Sequence, residues 1–251
     1  MKALLLAAGY GTRLYPLTEK IPKPLLPIAG RPIIDYLITQ IQKADHIKEV
    51  FVVSNDKFFD DFKVWQHSAR KKHGDLKITV INDGTKSPVE RLGAIADVQF
   101  AIAKKKIKDN LLIVGGDNIF DYNLKKFILK AKQKRSISLG VHDVKEKRIA
   151  THYGVVSFNG KKILKEFQEK PNRPKTTLAA MCLYYFPKEK LKDIALYLNQ
   201  PHDRKDAIGD YFNWLHRIED VYVHEFKGKW FDIGNHDSYR RAETYFNAKY
   251  K

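Results

Sequence analysis

Apolar residues recur along this chain in two alternating rhythms. Short unbroken runs at Ala3–Ala8, Val50–Val53, Leu111–Val114 and Ile137–Val141 predict buried strands, and Leu76, Ile78 and Val80 alternate as in a half-buried one. Between them the apolar positions take helical spacing. Ile33, Ile34, Leu37, Ile38 and Ile41 form one such stripe, Leu92, Ile95, Val98 and Ile102 a second, and Leu124, Phe127, Ile128 and Ala131 a third. The strand Ala3–Ala8, the first helix and the strand Val50–Val53 make a βαβ unit, and the continued alternation predicts a largely parallel sheet covered on both faces.

From Tyr153 the rhythm changes. Tyr153–Phe158, Asn159-Gly160 and Lys161–Phe167 have the form of a hairpin closed by an Asn-Gly turn. Ala179–Phe186 reads as a strand, Pro187 opens a helix where its missing N–H costs little, and Asp206–Ile218 reads as a further helix. A strand at Val221–Phe226 precedes Trp230-Phe231-Asp232-Ile233-Gly234 and a closing helix. The expected architecture is therefore α/β with a mixed, mostly parallel sheet, and residues 1–251 are expected to form a single domain.

Composition narrows the picture. A chain of 251 residues that is 43% hydrophobic can bury one sizeable core. Cys182 is the single cysteine, which excludes an internal disulfide framework and a cysteine-rich zinc site, and a reducing cytoplasm is the natural inference. The opening apolar run is short and lacks a cleavage region, so a buried strand explains it better than a signal peptide, and no stretch approaches a membrane span. The net charge is 46 minus 29, or +17, but the lysines are dispersed. Clusters such as Lys104-Lys105-Lys106 and Lys132-Gln133-Lys134-Arg135 fall near predicted helix ends, where they favour the helix dipole and stay solvated. A polynucleotide site is not expected; the field should instead attract small polyanions, a triphosphate among them.

Directly after the first strand, Ala8-Gly9-Tyr10-Gly11-Thr12-Arg13 offers backbone N–H groups that can face an anion. Leu14 stands where a dinucleotide-binding G-x-G-x-x-G would place its third glycine, and no Gly-Lys-Ser/Thr of a P-loop follows. By itself, a glycine turn between strand and helix is ordinary loop chemistry.

The longer pattern is more specific. Leu6-Ala7-Ala8-Gly9-Tyr10-Gly11-Thr12-Arg13-Leu14-Tyr15-Pro16-Leu17-Thr18, followed by Pro22-Lys23-Pro24-Leu25-Leu26-Pro27, resembles the opening of the sugar-phosphate nucleotidyltransferases. Gly116-Asp117-Asn118, Tyr153-Gly154-Val155-Val156, Glu169-Lys170-Pro171 and Trp230-Phe231-Asp232-Ile233-Gly234 extend the resemblance over nearly the whole chain. It implies a Rossmann-like three-layer core with a small sugar-binding insertion, and no appended C-terminal β-helix domain. It implies an enzyme that joins a nucleoside triphosphate to a sugar 1-phosphate with Mg²⁺ and releases pyrophosphate.

Carried onto this chain, the resemblance gives Arg13 the triphosphate and leaving group and Lys23 the phosphates near the reacting phosphorus. Ala8, Gly9, Gly11, Thr12, Asn82 and Gly84 would hold the nucleotide. Asp117 and Asp232, each beside a glycine at a predicted strand end, would hold the metal, since two hard oxygens with phosphate and water suit octahedral coordination. Lys170 would clamp the acceptor phosphate, Glu169 would receive sugar hydroxyls, and Tyr153-Gly154 would form the sugar-contacting turn. Asp210 lies in a region that approaches the sugar in relatives, although a plain helix surface explains it equally well. Without the motif, turn-forming and capping roles would serve for Asp117 and Asp232.

The base-reading segment departs from the thymidylyl pattern. In place of a glutamine and a Pro-x-Gly-Leu-Ala segment it has Asn82-Asp83-Gly84-Thr85 and Glu90-Arg91-Leu92-Gly93-Ala94. Asn118 leans towards dTTP or UTP with glucose 1-phosphate, while the Thr/Gly loop leaves a cytidylyltransferase acting on a phosphorylated metabolite open. A non-catalytic subunit sensing sugar nucleotides is the alternative of another class. The expected partners are small molecules, with neither nucleic acid nor membrane among them; a homo-oligomer is compatible with the sequence.

Overall fold

The computed structural model describes residues 1–44, 46–201 and 208–249. The fold is α/β with a mixed main sheet, and the chain divides into two compact units.

The first unit comprises Met1–Arg91, Val114–Leu124 and Gly228–Lys251. Its strand Lys2–Leu6 pairs in parallel with Glu49–Ser54, which pairs in parallel with Lys77–Asn82. Ala3, Leu4, Leu5, Val50, Val52 and Val53 are all fully buried, which is why these strands read as unbroken apolar runs. The first strand stops at Leu6, short of the expected Ala8, where carbonyls at and past its end are taken by loops: Gly116 N–H donates to Leu6 O at 2.8 Å and Asn55 Nδ2 to Ala8 O at 2.9 Å.

Helix Ile33–Gln42 buries the stripe its spacing announces. Helix Phe59–His73 gives no such announcement, because its charged sequence carries only a narrow apolar line of Phe62, Trp65 and Ala69. Its position is set by other signals. Asn55 Oδ1 accepts from Phe58 N–H at 3.0 Å, Asp60 and Asp61 occupy the first turn, and Arg70, Lys71 and Lys72 occupy the last. A two-stranded ribbon, Asn118–Phe120 against antiparallel Trp230–Asp232, was too short to show a period in the sequence. Ile119 and Ile233 pack with Leu14, Leu26, Ile28, Ile33, Tyr36 and Phe246 in one cluster, so the ribbon and the loops after the first strand share a core.

The second unit comprises Leu92–Ile113 and Lys125–Lys227. Strand Ile137–Asp143 is antiparallel to Leu178–Phe186 and parallel to Val221–Phe226. The hairpin Gly154–Phe158 and Leu164–Glu169 forms with Gly154 opposite Glu169, but its connection is not the tight Asn-Gly turn. Asn159 Oδ1 accepts from the N–H groups of Lys161 and Ile163, both at 3.0 Å, and Lys162 takes the left-handed conformation with φ of 64°. The asparagine side chain thus organises a longer loop over 159–163. Helix Lys192–Leu198 follows Pro187 through a 3₁₀ turn at Lys188–Lys190. The helix expected over Asp206–Ile218 is observed as Ile208–Leu215; Asp206 and Ala207 lie outside the described residues. Its Phe212 ring lies 5.9 Å from Phe167 and 4.9 Å from Tyr184, centroid to centroid, which ties the helix to the hairpin. Among the described residues no helix is long and apolar enough to cross a membrane.

Candidate functional site

Within the first unit, the glycine turn is held from beneath. Gly11 adopts φ of 64°, and a Cβ there would lie 3.1 Å from Thr18 Cγ2. Thr18, fully buried, donates its hydroxyl to Gly11 O at 2.8 Å. Leu14 closes a 3₁₀ turn over Thr12–Leu14 and buries its side chain, which leaves Arg13 and Thr12 facing outward. Gly9 has nothing within 4 Å of where a side chain would start. The turn therefore presents an open backbone edge and a cation, as anion binding requires.

Lys23 lies in the next 3₁₀ turn, Lys23–Leu25, between two buried prolines. Its Nζ pairs with Asp117 Oδ2 at 2.8 Å. Asp117 follows Gly116, where a side chain is excluded: a Cβ would approach Leu6 O to 2.7 Å. That contact holds the loop bearing Asp117 against the end of the first strand. The ribbon then brings in the second carboxylate, because Asp232 pairs with Asn118 in register and Ile233 N–H donates to Asp117 O at 3.0 Å. A Cβ placed on Gly234 would lie 3.5 Å from Asp232 Oδ2 and 3.9 Å from Arg13 Nη1. Arg13, Lys23, Asp117 and Asp232 thus converge from four separate stretches of sequence.

Among the described residues no three His, Cys, Asp or Glu side chains cluster as a protein-only metal cage. Two carboxylates beside two cations form a different donor set. It fits Mg²⁺, which commonly takes one or two carboxylates and completes its shell with phosphate oxygens and water.

The segment Asn82-Asp83-Gly84-Thr85 meets the same turn, with Tyr10 Oη donating to Thr85 Oγ1 at 3.3 Å. Gly84, at φ of 86°, is exposed. The Asn82 amide is engaged inside the loop: Oδ1 accepts from Gly84 N–H at 2.7 Å and Nδ2 donates to Asp56 Oδ1 at 2.6 Å. Its direct effect is to shape the loop, which presents the backbone around Gly84.

The second unit gathers the other expected residues. A side chain on Gly154 would collide with the Phe167 ring at 2.4 Å and meet Glu169 Oε2 at 3.4 Å. One on Gly209 would meet Glu169 Oε2 at 2.6 Å. The Glu169 carboxylate therefore occupies a slot that two glycines keep open. Burial raises its pKa, Asp210 adds to the rise, and Lys170, at 3.7 Å, opposes it. Lys170 is itself held at φ of 43° with its N–H on Tyr153 O at 3.1 Å, so Tyr153, Gly154, Glu169 and Lys170 form one constellation.

Several structuring residues were not singled out from the sequence. Thr18 stands at the end of the opening motif, Gly209 has no partner visible in the sequence, Trp230 carries no role there, and Asn118 carries only a lean in the choice of base. Trp230 Nε1 donates to Asn118 Oδ1 at 2.6 Å, a bond between residues distant in sequence that no local pattern signals.

The chain is 30% identical to the Bifunctional protein GlmU of Methanocaldococcus jannaschii over 99% of its own length and 55% of that protein's. It is 28% identical to a candidate mannose-1-phosphate guanyltransferase of Sulfolobus acidocaldarius, covering 96% of this chain and 62% of the relative. The chain thus spans just over half the length of these curated relatives. Its fold superposes with a TM-score of 0.84 on a candidate glucose-1-phosphate thymidylyltransferase from Bacillus anthracis, at 23% identity and with 98% and 95% of the two chains covered. The sequence model of the family described as Nucleotidyl transferase matches residues 2–249, and the chain belongs to that family.

Proposed function

We propose that this protein joins a nucleoside triphosphate, dTTP or UTP, to a sugar 1-phosphate, with glucose 1-phosphate the first choice, and releases pyrophosphate. The observation that carries the reading is the Lys23–Asp117 pair at 2.8 Å, set beside Asp232 and the outward-facing Arg13. In the reaction an oxygen of the acceptor phosphate forms a bond to the α-phosphorus, and the bond from that phosphorus to the bridging oxygen of pyrophosphate breaks. The acceptor needs no general base, because a phosphate monoester with a second pKa of about 6 is largely dianionic at neutral pH.

The remaining problem is electrostatic: two polyanions must meet, and charge must be stabilised as it moves onto pyrophosphate. Arg13 and the backbone at Ala8, Gly9, Gly11 and Thr12 receive the triphosphate, and Lys23 neutralises charge near the reacting phosphorus. Asp117 and Asp232 would hold Mg²⁺, which when bound polarises phosphate oxygens. The loop at Asn82 and Gly84 receives the base. In the second unit Glu169 accepts hydrogen bonds from sugar hydroxyls, Lys170 engages the acceptor phosphate, and Tyr153-Gly154 allows close approach. On this reading residues 1–251 act as one nucleotidyltransferase domain in the cytoplasm.

The sequence relatives broaden the test, since one is a candidate guanyltransferase for mannose 1-phosphate. The decisive experiment is a matrix of common nucleoside triphosphates, GTP included, against sugar phosphates, mannose 1-phosphate included, read by pyrophosphate release. Release is expected only where triphosphate, acceptor and Mg²⁺ are all present. Tight ligand binding with no turnover anywhere in the matrix would overturn the enzyme and favour a sugar-nucleotide sensor.

A further inference from the structure

Asp117 has two carboxylate oxygens, and the structure treats them differently. Oδ2 faces Lys23 Nζ at 2.8 Å, whereas Oδ1 accepts a hydrogen bond from Asn118 Nδ2 at 3.1 Å. Asn118 is 2% exposed, and its amide is committed on both sides. Nδ2 also donates to Gly115 O at 3.3 Å, and Oδ1 accepts from Trp230 Nε1 at 2.6 Å. An indole N–H can only donate, so it selects the orientation of the amide: the oxygen must face Trp230, and the NH₂ must then face Asp117. Trp230 and Asp232 lie on the same strand of the ribbon, and Asp232 is the register partner of Asn118. The strand that supplies one carboxylate thus also orients the amide that holds the other.

We infer that Trp230 and Asn118 are positioning residues for metal binding: through the chain indole, amide, carboxylate they hold Oδ1 of Asp117 and leave Oδ2 to the cation and to Lys23. The inference rests on the metal reading above and extends it to two side chains that need not touch the cation. Partners that fix the orientation of ligating groups commonly set affinity by about 10- to 100-fold. Replacing Trp230 by Phe keeps an aromatic ring on the strand and deletes the N–H donor together with part of the indole, which is why thermal unfolding accompanies the binding measurement. The Asn118 amide then loses the bond to its oxygen, the shortest of those that fix its orientation, and keeps only the longer bonds from Nδ2 to Gly115 O and Asp117 Oδ1.

The test is direct Mn²⁺ binding to the whole protein, measured by electron paramagnetic resonance with no substrate added, for wild type, Trp230→Phe, Asn118→Leu and the double variant. Thermal unfolding checks that each variant is folded. Each single substitution is expected to weaken Mn²⁺ binding by about 10-fold, and the double variant by no more than the weaker single, because both break one chain of bonds. At saturating metal, kcat should stay within about threefold of wild type, since metal affinity rather than later chemistry is lost. Wild-type affinity in either folded single variant, or losses that multiply in the double, would overturn the inference. If Asn118→Leu does not fold, Trp230→Phe alone decides. Failure of wild type to bind Mn²⁺ would overturn the metal reading itself, an outcome distinct from the variants matching a binding-competent wild type.

Discussion

Lys23 is drawn in two directions: it neutralises Asp117, and in the proposed reaction it serves phosphate. Lys23→Met keeps the length of the stem and deletes the charge. It should lower kcat by about 100-fold, a loss typical of removing one group that stabilises developing charge, while the unfolding midpoint changes little. Steady-state pyrophosphate release with thermal melting checks both. Glu169 differs in kind, because burial raises its pKa. A raised pKa means that the carboxylate takes up its proton at a higher pH than an exposed glutamate, so on acidification acceptor affinity should weaken earlier than an ordinary carboxylate would allow. A pH profile of the acceptor KM should show this limb, and Glu169→Gln should abolish the limb while raising KM throughout. Both residues were legible in the sequence only as parts of motifs. Their partners, Asp117 for Lys23 and Gly209 for Glu169, lie too far away in the chain for spacing to reveal.

At the scale of elements, glycines act as spacers for the site, and their tolerance can be ranked. Gly209→Ala would push a methyl group to 2.6 Å from Glu169 Oε2, so it should cost about 1–3 kcal/mol of stability and raise the acceptor KM. Gly160→Ala, with nothing within 4 Å, should leave both unchanged. Urea unfolding of the pair makes the comparison. The parallel strands of the first unit were readable because burial on both faces demands continuous apolar runs. Helix Phe59–His73 escaped notice because few of its residues are buried, and caps and terminal charges signal its ends more clearly than any periodicity. The ribbon of Asn118–Phe120 and Trp230–Asp232 escaped for another reason: three residues per strand cannot show a repeat, yet this element aligns Asp232 with the Asp117 loop.

At the scale of the whole molecule, two responses to solution conditions are expected. Chelation by EDTA should abolish turnover, and added Mg²⁺ should restore it without refolding, because two carboxylates contribute to a site rather than to a core. Stability should also depend on acid through His224, which packs 5.5 Å from the Phe127 ring and 4.7 Å from that of Phe226. Burial, with Lys130, Lys126 and Lys162 nearby, lowers its pKa to about 4. A depressed histidine contributes stability above its unfolded pKa of about 6.5, and that contribution fades as pH falls towards about 4. Partial exposure screens the effect, leaving about 1–2 kcal/mol that His224→Phe should remove from the pH dependence of urea unfolding. The family could be read from motifs, whereas the identity of the base could not. In the loop proposed to receive it, the Asn82 side chain is engaged by Gly84 N–H and Asp56, so on that reading recognition falls to backbone geometry that a sequence does not display.

The first unit is assembled from Met1–Arg91, Val114–Leu124 and Gly228–Lys251. A ribosome making this chain delivers the glycine turn, Lys23 and Asp117 early, but Asp232 and Trp230 only with the third stretch. Chains halted before Gly228 would lack both Trp230 and Asp232, so on the proposed reading they would carry Arg13, Lys23 and Asp117 without the second metal-binding carboxylate.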